Sequence, residues 1–122
     1  MTESISWNVT TRAIGGPQIA SGGSLQADAY DKLEVTVAAG ATQAVNIAPG
    51  NWTSVQLLVI NPSAASNTLT YNFGTSDIVL DGTLFLAGLG AVSLLGAGAA
   101  TLTFKNTSTA DITIDILVGR SA

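Results

Sequence analysis

The side chains able to act as acids, bases or ligands are few. The 122 residues include eight Asp or Glu and four Lys or Arg, with no His and no Cys. Without His or Cys there is no Ser-His-Asp or Cys-His nucleophile system, no thiol redox chemistry, no structural zinc site and no haem His ligand. The densest polar cluster runs Asp28-Ala29-Tyr30-Asp31-Lys32-Leu33-Glu34. Its three carboxylates, Asp28, Asp31 and Glu34, offer oxygen donors to Ca²⁺ if the segment turns sharply. The D-x-[DN]-x-[DN]-G order is missing and Lys32 lies inside the cluster, so a solvated turn leading into the next strand is the favoured reading. Asp77 and Asp81 flank Ile78-Val79-Leu80. Along a strand they would lie about 13 Å apart, too far for the carboxylate pair of a glycoside hydrolase. Asp111 and Asp115 repeat that spacing, and both pairs are expected to keep a sheet face soluble and discourage edge pairing. No catalytic residue, metal or cofactor is expected, and an enzyme is the least supported class.

Binding chemistry is also sparse. Trp7, Trp52, Tyr30 and Tyr71 raise the question of sugar stacking, but Tyr71 and Trp7 fall on the apolar sides of their strands and read as core. Trp52, beside Pro49-Gly50-Asn51, is the candidate for an exposed ring. A carbohydrate-binding or surface adhesion module is therefore the alternative to a structural role. The Gly-rich stretches lack a following Lys-Ser/Thr, so no phosphate cradle is expected. A formal charge of -4 and a pI near 4.2 argue against nucleic-acid binding, which needs clustered Lys and Arg. The opening residues carry Glu3 before any basic residue and hold no continuous apolar stretch, so no secretory signal is expected. Three glycosylation sequons, at Asn8, Asn51 and Asn106, are chance occurrences in a Thr- and Ser-rich chain.

The elements that must position these residues alternate with period two. Ile112, Ile114, Ile116 and Val118 alternate with Thr113 and Asp115; Leu102 and Phe104 alternate with Thr101, Thr103 and Lys105. Leu69, Tyr71 and Phe73, Leu33, Val35 and Val37, Val45 and Ile47, and Ile5, Trp7 and Val9 follow the same rule. Such segments are half-buried antiparallel strands. Val55 to Ile60 is apolar on nearly both faces and predicts a central strand or one covered by another subunit. Turn residues recur at Ala38-Ala39-Gly40, Pro49-Gly50-Asn51, Asn61-Pro62-Ser63, Gly74-Thr75-Ser76 and Asp81-Gly82, and Asn106 to Ala110 reads as the last hairpin connection. The spacing predicts an all-β chain: one antiparallel β-sandwich of seven to nine strands, jelly-roll topology favoured. Residues 25–122 form the sandwich, and residues 1–24 an N-terminal strand or flexible arm.

Two segments break the alternation. Ala13 to Ser24 holds two Gly pairs and Pro17, and reads as a surface loop or an extended arm, with Ile14, Pro17 and Ile19 as its contact residues. Leu84 to Leu102 is 19 residues without a charge. Its length approaches that of a membrane helix, but four Gly residues and the absence of Lys/Arg flanks speak against one. Two short buried strands joined by a Gly turn are expected. A sandwich this small has limited interior, so part of Leu84, Phe85, Leu86, Leu89, Val92, Leu94 and Leu95 is expected to meet another chain.

The C-terminal half, TLFLAGLGAVSLLGAGAATLTFKNTSTADITIDILVGRSA, follows the VQLLVINPS and NTLTYNFG strands on a small, acidic, Cys-free chain. Together these resemble the small β-sandwich virion proteins of tailed bacteriophages, especially head decoration (cement) proteins. The resemblance implies a non-enzymatic protein, made in the host cytoplasm and carried on the capsid surface. It implies two partners: further copies of itself, a trimer being favoured, and a major capsid protein reached through an extended arm, here Thr2 to Ser24.

Overall fold

The computed structural model describes residues 3–47, 52–64, 66–73, 76–95 and 101–121, with Glu3 and Trp52 described by their backbone. Eight strands form two four-stranded antiparallel sheets. The front sheet holds β3 (Ala29–Val37), β10 (Ile112–Arg120), β5 (Val55–Pro62) and β8 (Leu84–Ala87) in that order. The back sheet holds β4 (Thr42–Asn46), β9 (Thr101–Asn106), β6 (Leu69–Asn72) and β7 (Ile78–Val79). Only the step from β6 to β7 stays within one sheet; every other step along these eight strands crosses to the opposite sheet. The chain is thus an all-β sandwich, and its eight sandwich strands fall within the expected seven to nine. A further hairpin, β1 (Glu3–Arg12) and β2 (Gln18–Ala27), forms a two-stranded sheet of its own.

The period-two residues fill the space between the sheets. Ile112, Ile114, Ile116 and Val118 from β10, Leu58 and Ile60 from β5, Leu102 and Phe104 from β9, and Leu69 and Tyr71 from β6 form one buried cluster. β10 lies between β3 and β5 over nearly its whole length, Ile114 facing Val35 on one side and Pro62 on the other. Burial of a large aliphatic side chain contributes about 1.5–3 kcal/mol, so this cluster dominates the favourable side of folding.

The polar residue at 106 explains one departure from expectation. Asn106 to Ala110 does not close a hairpin: β9 and β10 belong to different sheets, and these residues carry the chain across. Asn106 is fully buried. Its Nδ2 donates to Val37 O at 3.0 Å and Ala110 O at 2.8 Å, while its Oδ1 accepts from Ser108 N and Ser108 Oγ. The β3-to-β4 crossing runs alongside: Asn106 N donates to Ala41 O, and Ala39 N donates to Asp111 Oδ1. One amide therefore joins two neighbouring inter-sheet crossings. With both amide hydrogens engaged, this sequon has no free nitrogen for a glycan.

Three further expectations are corrected. Ala13 to Ser24 is neither a loop nor a loose arm: it supplies the hairpin turn and most of β2, paired residue for residue with β1 as far as Glu3–Ala27. The turn closes because Gly15 takes φ +75°, a conformation that L side chains rarely adopt, and Gly16 N donates to Ala13 O. Leu84 to Leu102 has a strand at either end, β8 and the start of β9 (Thr101–Asn106), but they belong to different sheets and the described part of the connection is helical, residues 96–100 lying outside the described residues. After β8, Gly88 at φ 101° opens a helical turn, α1 (Leu89–Val92), which runs into a 3₁₀ turn at Ser93–Leu95. Among the described residues no helix is long and apolar enough to cross a membrane. Strand β3 begins at Ala29, so Asp31, Lys32 and Glu34 lie on a strand rather than in a turn.

Candidate interaction surface

The front sheet has an outer face divided in two by chemistry. Toward β3 it is polar: Lys32 Nζ donates to Asp115 Oδ1 at 3.3 Å, and Thr36 and Thr113 share a hydroxyl hydrogen bond at 3.2 Å; polarity also reaches the start of β8, where Thr83 Oγ1 donates to Asn61 Oδ1. Toward β8 it is apolar, with Leu57, Phe85 and the bare backbone of Gly119. The β1–β2 hairpin lies on that apolar half. Ile5 Cδ1 sits where it would be 2.8 Å from a Cβ at Gly119, and the Trp7 ring meets Phe85 with centroids 5.6 Å apart. Trp7 can lie flat because its cross-strand partner is Gly23, whose missing Cβ would come within 3.2 Å of the indole. Trp7 is therefore half-buried beneath the hairpin, not in the core between the sheets as its alternation suggested. The second apolar face of β5 is explained in the same way, since Leu57 is covered by the chain's own hairpin. It is also the central strand expected, lying between β10 and β8.

From Ile5 over β10 and β5 to Trp7 over β8, the hairpin crosses the sheet toward its edge. β8 is the last strand on that side, and every residue from Asn8 to Ser24 is exposed. The face that buries Ile5, Trp7 and Leu25 continues outward through Val9 and Ile19, since strand side chains alternate. Of the expected arm residues, Ile14 and Pro17 stand in the exposed turn, and Ile19 on β2 is 75% exposed. The overhang reaches about 20 Å past the sheet by strand rise.

The seven residues expected at an interface separate into two groups. Val92 is buried in the core, and Leu84, Leu86 and Leu95 pack against it. Phe85 lies under Trp7. Leu89 and Leu94, on the helical turns that follow β8, are 52% and 80% exposed. The folded chain therefore presents two apolar patches on the β8 side, the overhang and this turn.

The acidic residues are dispersed. Asp31 pairs with Arg120 on the neighbouring strand, Asp115 with Lys32, Asp111 caps the β3-to-β4 crossing, and Asn72 Nδ2 donates to Asp77. Asp28, Asp31 and Glu34 are not brought together, and no group of three potential metal ligands occurs among the described residues. Asp77 and Asp81 flank a strand of two residues, Ile78–Val79. Asp81 borders an open cleft of about 160 Å³ between β7 and β8, together with Tyr71, Val79, Thr83 and Leu84. Beside this carboxylate the lining's further titratable group is the Tyr71 phenol. Burial raises the Tyr71 phenol above its ordinary value of 10.0, so it stays neutral there as a core residue. Tyr30 is half exposed and stands alone on its strand; the side chain of Trp52 and the turn at 49–51 lie outside the described residues. No protein-family model matches this chain, and no curated protein or solved structure is significantly similar to it.

Proposed function

We propose that this chain is a non-enzymatic structural protein of a tailed-phage virion, a decoration protein that self-associates and binds the major capsid protein on the outside of the shell. The observation that carries the reading is the overhanging hairpin: a β-sandwich of low charge extends an ordered, apolar-tipped arm beyond its own body. Monomeric proteins seldom leave clustered aliphatic residues in water without a partner, and two such clusters lie on one side here. The strand order supports the finer reading that the sandwich is a jelly roll. Eight strands alternate between two sheets with a single within-sheet step, which is how two interleaved Greek keys wind, and capsid domains are among the hosts of that architecture.

The test is association with particles. Phage particles purified from cells expressing the chain should carry it in fixed stoichiometry with the major capsid protein, and antibody against the chain should label intact particles from outside. Particles of normal composition lacking the chain would overturn the reading.

A further inference from the structure

We infer that the overhang of the β1–β2 hairpin docks on the helical turn at Leu89–Leu95 of a second copy of this chain. The inference rests on the self-association part of the proposed function and assigns a surface to it. Three observations lead to it. First, the hairpin face is continuous with an interface already formed: Ile5 and Trp7 bury against Gly119 and Phe85, and Val9 and Ile19 extend the same face past β8, 37% and 75% exposed. A two-stranded ribbon exposed on both faces is marginally stable in water, so the overhang gains most from being covered.

Second, charge favours this approach between copies. Residues 25–122 carry three basic and seven acidic side chains, so two bodies repel each other. The exposed overhang from Asn8 to Gly22 carries one charge, that of Arg12, and Leu84 to Leu102 carries none. A contact between these segments places no carboxylates face to face, and it brings a cation to an acidic neighbour. Third, the two patches are of one chemistry. Ile14 and Ile19 on the overhang and Leu89 and Leu94 on the turn are the aliphatic residues left most exposed by the fold.

The contact is heterologous: the arm of one copy meets the turn of the next. Each copy keeps one free arm and one free turn until a ring closes, so the expected product is a closed oligomer.

The chain has no Cys, which permits a direct test on the full-length protein. Chains carrying Ile14→Cys, Leu94→Cys or both are oxidised mildly and run on denaturing gels without reductant. The doubly substituted chain should give covalent oligomers, and an equimolar mixture of the two single variants should give covalent dimers joining one of each. Dimers formed by Ile14→Cys alone would show an arm-to-arm contact and overturn the inference. A disulfide closed within one chain, or no crosslink at all, would overturn it too. Light scattering on the parent and on Ile14→Asp/Ile19→Asp supplies a second readout, with the mass expected to fall to that of one 12.3 kDa chain. Substituted chains that retain the parent's mass would place the interface elsewhere. Particle labelling is independent of these results: a monomer that still decorates particles would fail this inference while leaving the proposed function standing.

Discussion

At the scale of single residues, the polar side chains that matter most hold the fold. Asn106 satisfies two backbone carbonyls and accepts from Ser108 at a fully buried position. Leaving buried carbonyls without donors costs about 1–3 kcal/mol each. Asn106→Ala should therefore destabilise the protein by about 2–4 kcal/mol, read as a lower urea midpoint; an unchanged midpoint would remove Asn106 from its role in the crossings. Tyr71 gives a pH-dependent prediction. Its folded-state phenol is raised by burial, so its contribution to stability is complete below pH 10 and is lost as pH rises toward the folded value, while the unfolded chain ionises first. Between pH 8 and pH 11 the parent should lose more stability than Tyr71→Phe. Equal losses would mean that other groups govern alkaline unfolding. The sequence made Tyr71 legible as core through its alternation with Thr70 and Asn72. It did not make Asn106 legible, because an Asn in N-T-S-T-A reads as a turn residue until the sheets on either side are known.

At the scale of elements, the hairpin and the sheet beneath it depend on one missing side chain. Gly119 lies inside β10, whose neighbouring residues Ile116, Leu117 and Val118 are aliphatic, a position that weakens a strand unless something approaches closely. Here Ile5 does. Alanine there asks only that the end of the Ile5 side chain give way. Gly119→Leu should lift the hairpin base and cost about 1–3 kcal/mol through overpacking. Trp7 would then gain solvent, so its emission should shift to longer wavelength and trypsin should cut at Arg12 sooner. If emission and cleavage both match the parent, the hairpin does not depend on Gly119 for its seat. Deleting Thr2 to Ser24 should likewise destabilise the sandwich, since it uncovers Leu57 and Phe85, and the arm is thus part of the fold as well as a reach beyond it. The alternation of Ile5, Trp7 and Val9 identified β1 in advance. Its partner β2 was hidden because QIASGGSLQA holds two glycines and little periodicity, and its strand character comes from pairing with β1.

At the scale of the whole molecule, protection should grade from one side to the other. β5 and β10 are central strands with cover on both faces for part of their length, while every residue of the overhang is exposed. In hydrogen exchange of the dilute chain, amides from Asn8 to Gly22 should exchange first and those of β5 and β10 last. On raising concentration, the overhang and Leu89–Leu95 should gain protection together; gain at one without the other would separate the two patches. Read alone, the sequence already requires an all-β chain, because a two-residue period recurring over short segments buries one face of each strand in a sandwich or a barrel and suits no helix. It also determined which chemistry is missing, since a chain without His or Cys cannot acquire them by folding. Tertiary structure alone decided which strands share a sheet, because period two places a side chain on a face without naming the neighbouring strand. It likewise decided the fate of the apolar run after Thr83. Hydropathy there is uniform, and only the packed interior separates Val92, which it buries, from Leu89 and Leu94, which it leaves in water.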